Sequence, residues 1–486
     1  MIRTFLGVVI LIAAGITSAA HQQATAPVPV AFDGYWIGVG HIGVKELRIG
    51  VEITSATEGR RVSFVSLDRG AVERPGSNIV IDGRRLQFDV PALKGSFEGT
   101  LDETERRLAG VWRQSGFEMP VKLERGDKFA AILKRPQEPA RPLPYDEVEV
   151  RFPNDEAGIN LAGTLTVPRT VGSHPAALLI SGSGPQDRNE EVYGHRPFLV
   201  IADDLTRRGI AVLRVDDRGV GGSTGSREAA TTADYASDAL AAVAFLKSRP
   251  EIDPRRIGLI GHSEGGLVAP MTAARDPEIA FVVLLAAPGL RGADIAVLQA
   301  RTMLRAAGAP DEAIETQTRI QTRMLQVLTE TTDEAEIRNR GREILREELV
   351  RAGDREATQL AAVERQLEPQ IRRALTPWSR FFMIYDPRPA LSRLRCPVLA
   401  MNGTTDSQVP ARENLSAIES ALRTGGNAKV TIAALPNLNH LFQTSTTGAL
   451  SEYAKIEETF APIALETMGR WIGERVQLGG IIRFIP

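Results

Sequence analysis

The sequence predicts an α/β protein: a doubly wound, mostly parallel sheet with a helical lid insertion, preceded by a small all-β domain. Three observations predict it. From about Phe32 to Arg125 apolar and polar residues alternate, the period of strands buried on one face. After Tyr145, apolar runs without strict alternation recur between helix-length stretches, which marks a parallel sheet covered on both faces. From about Arg291 to Arg380 that rhythm stops; the chain there is rich in Arg, Glu, Gln and Ala and reads as inserted helices.

Composition narrows the function classes. A chain of 486 residues is too long for one core. A net charge of -2 gives nucleic acid or an anionic membrane no electrostatic reason to bind. Six histidines and one cysteine are few and scattered, with no H-E-x-x-H and no paired C-x-x-C, so neither a metal nor another cofactor is expected. Residues 1–20 read as a signal peptide: Arg3, then the apolar run Phe5 to Ile16, then Ser18-Ala19-Ala20. The run is short for a membrane span, and an uncleaved anchor is the alternative. Export without a disulfide fits a bacterial periplasm or exterior. The lone Cys396, before Pro397 at the start of an apolar run, reads as a core residue.

In the all-β domain, residues 30–126, Leu47, Ile49, Val51 and Ile53 alternate with polar neighbours, as do Leu86, Phe88 and Val90, and Met119, Val121 and Leu123. Asp82-Gly83 marks a tight hairpin. About eight strands fit, as a small antiparallel barrel or sandwich. Gly34-Tyr35-Trp36 and Gly110-Val111-Trp112 are placed to stack where first and late strands meet. A linker over 127–144 carries Pro136, Pro139, Pro142 and Pro144. The α/β domain spans 145–290 and 386–486. Glu147–Phe152 and Leu161–Val167 form an antiparallel lead-in. The strands Ala176–Ile180, Ile210–Val215, Ile257–Ile260, Phe281–Ala286 and Pro397–Met401 follow, with helices such as Pro197–Arg208 and Ala233–Lys247 between them. The insertion, 291–385, is a candidate lid or a plain helical decoration.

Two G-x-S-x-G patterns occur, Gly261-His262-Ser263-Glu264-Gly265 and Gly221-Gly222-Ser223-Thr224-Gly225. A nucleophilic serine must sit on a sharp turn between a buried strand and a helix. Ser263 meets that demand: Ile257–Ile260 leads into it and Leu267–Ala274 reads as helix. Ser223 does not, because Asp216-Asp217-Arg218-Gly219 separates it from its strand and no helix follows. Serine needs a base, and His440 is the only histidine downstream, on a loop after the run Val430–Leu435. The base needs a carboxylate. Asp406 follows the strand Val398–Met401 at its carboxyl end, whereas Asp386 precedes that strand and faces the opposite edge. For the developing oxyanion the N–H of Glu264 supplies one donor. The loop Ser181-Gly182-Ser183-Gly184-Pro185 supplies the other, at Ser183 with Gly184 next in line. Gly182-x-Gly184 is not a dinucleotide fingerprint, because Asp187 holds the third glycine position. Trp378, Phe381, Phe382 and Tyr385 cluster after the insertion, either lining a substrate pocket or packing the insertion on the sheet.

The segments IGLIGHSEGG, LLISGSGPQDRNE (178–190), RGIAVLRVDDRGVGGSTG (208–225), LAMNGTTDSQVP (399–410) and LPNLNHLFQ (435–443) resemble the α/β-hydrolase superfamily, in particular exported bacterial carboxylesterases with a β-rich N-terminal domain. The resemblance covers most of 145–480 and implies Ser263 as nucleophile, Asp406 as acid and His440 as base. It makes Asp217-Arg218-Gly219 a structural loop, and it places an acidic residue in many relatives where Asn189 stands. It implies a serine carboxylesterase for short- to medium-chain esters, with a small-molecule ester as partner. A peptidase or aminopeptidase with the same triad, a thioesterase, and a catalytically dead binding protein are the rivals.

Overall fold

The structure is a computed structural model. It describes residues 32–476 apart from 43–44, 57–58, 68–72, 115–116, 127–134, 352–369 and 454. The expected signal peptide, the start of the linker and part of the insertion lie outside the described residues.

The first sheet holds nine strands, all paired antiparallel: β1 (Gly34–Ile42), β2 (Lys45–Ala56), β3 (Gly59–Ser66), β4 (Glu73–Pro75), β5 (Ser77–Asp82), β6 (Arg85–Val90), β7 (Gly95–Leu101), β8 (Arg107–Gln114) and β9 (Phe117–Gly126). Their order is β4-β3-β2-β1-β9-β8-β7-β6-β5. The expected count was one short. The shortest strand, β4, is three exposed residues at an edge, too short and too polar to show alternation. The two edge strands, β4 and β5, are joined by Gly76 alone, so the sheet rolls back on itself. Phe64 on β3 accordingly stacks on Trp112 on β8 at 4.5 Å between ring centroids, although three strands separate them in the sheet. The alternating residues read from the sequence, among them Ile49, Val51, Leu86, Phe88, Val121 and Leu123, form the main core inside the roll. The hairpin bends at Gly83 (φ +55°) and Arg84, with Asp82 paired to Arg85. Trp36 and Trp112 do not stack on each other as expected. Strand β9 lies between them, and its register sets Trp36 beside Arg125 but Trp112 beside Met119, near opposite ends of that strand.

Past residue 134 the linker is pinned to the second domain. Arg135 donates from Nε to Gly194 O (2.9 Å) and from Nη2 to Tyr193 O (2.9 Å). Gln137 donates to Phe460 O and accepts from Thr459 N, both at 2.6 Å.

The second sheet has eight strands: β10 (Tyr145–Asn154), β11 (Ile159–Pro168), β12 (His174–Ile180), β13 (Ala211–Val215), β14 (Ile252–His262), β15 (Phe281–Leu285), β16 (Val398–Gly403) and β17 (Val430–Leu435), in the order β10-β11-β13-β12-β14-β15-β16-β17. β10 and β11 pair antiparallel, and from β13 to β17 the pairing is parallel. Successive side chains on a strand face opposite ways. Leu178, Leu213, Leu259 and Val282 therefore feed one core, and Leu179, Val212, Ile260 and Val283 feed the other. This is why the central strands read as unbroken apolar runs. Helix Thr232–Lys247 opens on a capping box in which the Thr231 and Asp234 side chains satisfy each other's backbone.

The insertion lies between β15 and β16 as helices Gly292–Ala306, Asp311–Glu330, Glu334–Arg351 and Pro377–Ile384. It has its own apolar cluster, including Ile320, Met324, Leu328, Ile337 and Ile344. A second cluster, Ile295, Trp378 and Phe382 against Leu267 and Val409, seats it over the carboxyl edge of the sheet.

Candidate active site

β14 ends at His262 and the next helix begins at Gly265, leaving Ser263 and Glu264 to make the whole turn. Ser263 takes φ +52°, the left-handed region that costs a side-chain-bearing residue about 1–2 kcal/mol. Its N–H donates to Leu285 O and its carbonyl accepts from Gly266 N, each at 2.9 Å, which holds the conformation. The bend admits only glycine on either side. A Cβ on Gly261 would lie 2.1 Å from Gly265 O, and one on Gly265 would lie 2.1 Å from Ile180 O.

His440 Nε2 lies 3.0 Å from Ser263 Oγ, and His440 Nδ1 lies 2.8 Å from Asp406 Oδ2. The second oxygen of Asp406 accepts the backbone N–H groups of Gln408 (2.8 Å) and Val409 (2.9 Å), which fixes the carboxylate's rotation. All three side chains are buried. The residues come from the ends of β14, β16 and β17, so the parallel sheet brings together groups far apart in sequence. Asp386 pairs instead with Arg388 (2.7 Å). Ser223 is spoken for as well: its Oγ donates to Asp216 O (2.7 Å) and accepts from Ala162 N (2.9 Å), tying a loop to β11.

The loop after β12 stands beside the serine. A Cβ on Gly182 would sit 3.2 Å from Ser263 Cβ. Among the described residues the backbone N–H groups of Ser183 and Glu264 have no acceptor. Two donors left free beside Ser263 are what an oxyanion site would require. The loop is braced from below by Asp217, which accepts from Ser181 Oγ (2.7 Å) and Gln186 N (2.9 Å). Burial pushes the Asp217 carboxyl well above the ordinary carboxylate range, since those two hydrogen bonds only partly offset the loss of water.

The Glu264 side chain turns away from the serine. Its Oε1 accepts Thr232 Oγ1 and the indole N–H of Trp378, both at 2.7 Å. Burial raises this carboxyl too, with both donors acting against the rise. Of the four aromatics singled out from the sequence, Trp378 thus contacts the residue that follows Ser263. Trp378 stacks on Phe382 (5.4 Å) and Phe381 on Tyr385 (5.4 Å), as their spacing of four on one helix allows. Packing of the insertion is what Trp378 and Phe382 visibly do. A cleft beside the loop after β12 is lined instead by Ile180, Gly182, Asp217, Tyr235, Glu264 and apolar neighbours.

Two residues at the site escaped the sequence reading. His262 is buried beside Ser263, with Nδ1 2.8 Å from Glu190 Oε1 and Nε2 2.9 Å from the carbonyl oxygen of His440. Asn189, the position noted as acidic in relatives, instead accepts from Arg214, while the neighbouring Glu190 turns inward. The signal that could have found the pair was a histidine adjoining Ser263 together with a glutamate closing the loop after β12. Among the described residues no group of three His, Cys, Asp or Glu side chains is placed to hold a metal ion.

The chain belongs to the alpha/beta hydrolase family, whose model matches residues 177–452. It is similar to the esterase EstD of Thermotoga maritima, 31% identical over 170 residues, which are 35% of this chain and 40% of that protein. It is also similar to the putative hydrolase YtaP of Bacillus subtilis, 34% identical over 131 residues, 24% of this chain and 44% of that one. The chain therefore spans about two fifths of the length of these curated relatives. Among solved structures, the Pyrococcus furiosus esterase Pf2001 aligns at a TM-score of 0.42 and 18% identity, covering 71% of this chain and 97% of that one.

Proposed function

We propose that the chain is a serine carboxylesterase acting on short- to medium-chain esters, and that it is exported. The observation that carries the catalytic reading is the unbroken relay from Ser263 Oγ through His440 to Asp406, with spacings of 3.0 and 2.8 Å. The esterase name of the Thermotoga relative supports the substrate class over the matched segment. The leader-like residues 1–20 support export.

In this reading Ser263 Oγ attacks the ester carbonyl while His440 Nε2 takes its proton. Asp406 holds the imidazole in the tautomer that presents Nε2 and stabilises the imidazolium. The tetrahedral anion lies on the N–H groups of Ser183 and Glu264. His440 then protonates the leaving alcohol, and a water repeats the sequence on the acyl-enzyme.

The test is to compare p-nitrophenyl butyrate, an S-acyl thioester and an aminoacyl p-nitroanilide as substrates of the mature protein. The ester is expected to give the highest kcat/KM. A higher value for the anilide would make the protein a peptidase, and a higher value for the thioester would make it a thioesterase.

A further inference from the structure

The triad leaves unexplained a second acid–histidine pair directly behind it. Glu190 and His262 are both buried, and neither has a place in the acyl-transfer steps. Ionisable groups taken out of water are costly, and an apolar pair of similar volume is often at least as stable. The pair therefore calls for an explanation other than stability, and its contacts supply one.

His262 Nε2 faces the backbone carbonyl of His440, which can only accept, so this nitrogen donates. Nδ1 faces the Glu190 carboxylate and donates there. With both nitrogens protonated, the ring is an imidazolium. Burial alone would push it the other way, but the Glu190 charge, the bond to the His440 carbonyl and the Asp406 charge outweigh burial and hold His262 above the ordinary histidine range. The same oxygen of Glu190 also accepts the N–H of Gly182 at 2.6 Å. Gly182 immediately precedes Ser183, whose N–H is a donor to the oxyanion. Glu190 itself stands at φ +52°, a strained conformation kept where the surroundings demand it.

Three contacts thus join the oxyanion loop to the loop that carries the base. The oxyanion loop is held by Glu190, Glu190 holds His262, and His262 holds the main chain of the base. We propose, resting on the esterase reading, that Glu190 and His262 are positioning residues. They lock the Ser183 donor and His440 into one rigid unit around Ser263. Misplacing reacting groups by about 1 Å costs up to about a hundredfold in rate, so breaking the lock should reach the chemical step rather than substrate binding.

The experiment uses Glu190→Gln, His262→Gln and the double variant, with p-nitrophenyl butyrate. Turnover is normalised to active sites titrated with a fluorophosphonate, so that misfolded protein does not count. Each single variant is expected to lose about 10- to 100-fold in kcat per titrated site with KM within about threefold of the parent. The double variant is expected to lose no more than the worse single one, since both break one lock. Normal kcat per site in both single variants would overturn the proposal. So would a rise in KM at unchanged kcat, or losses that multiply in the double variant. Failure of the esterase reading would look different: the parent itself would turn over no ester and titrate no site.

Discussion

The two sheets bury their side chains by opposite rules. Among the described residues of the rolled sheet, 32–126, every buried side chain is apolar or aromatic. The eight-stranded sheet and its loops bury His262, Ser263, Glu264, Asp406 and His440 at and beside one edge. A core made only of apolar groups is what stability asks for. Buried ionisable groups gathered at strand ends are what chemistry asks for. The contrast assigns stability to the first sheet and reactivity to the second, and mutations can test that division.

The largest expected effect is on the reactive side. Ser263→Ala should lower kcat by about a millionfold and leave the melting temperature nearly unchanged. Residual ester turnover above about one part in a thousand would mean that another group does the attack. Next comes the converse in the roll. Trp112→Ala removes the ring that packs on Phe64 across the interior and should cost about 3–5 kcal/mol in denaturant unfolding of that sheet. Its kcat per titrated site should match the parent's; a large fall there would show that the roll takes part in catalysis.

Trp378→Phe probes where the two rules meet. The ring's packing survives, but the buried Glu264 loses one of its donors, which should cost about 1–3 kcal/mol. If Trp378 also shapes the acyl site, the variant's preference between butyrate and octanoate esters should move; preference unchanged at every length would leave it a packing residue. The smallest effect is a trend with pH. The Glu264 carboxyl is raised by burial, so the folded state holds its proton more tightly than the unfolded chain does. Its contribution to stability is then full below the unfolded carboxylate value, about 4.3, and declines as pH rises toward the folded value. Glu264→Gln keeps the acceptor oxygen and removes that decline. Its stability relative to the parent should improve as pH rises above about 4.3 and level off once the folded value is passed, and a gap that stays constant with pH would contradict the assignment.

Much of this was legible in the sequence. That Ser263, His440 and Asp406 meet could be read because each follows a strongly apolar strand, and a parallel sheet delivers every such strand end to the same edge. The roll could be read from its period of two, except at Glu73–Pro75, where exposure on all sides erases the period. The expected contact between Trp36 and Trp112 failed because sequence pattern says which face a residue takes but not its register along a neighbouring strand. Glu190 and His262 were missed for a related reason. Their meaning lies in a three-way contact among loops, and no periodicity encodes that. The brace from Thr232 and Trp378 on Glu264 was hidden in the same way, since it joins a helix start, a turn and the insertion.

The most direct test of the central claim is to treat the mature protein with a fluorophosphonate probe and locate the adduct by peptide mass spectrometry. The geometry predicts one adduct, on Ser263 in the peptide bearing Gly261-His262-Ser263-Glu264-Gly265, with loss of ester turnover in step with labelling. An adduct on Ser223, or turnover that persists after Ser263 is fully labelled, would contradict the account.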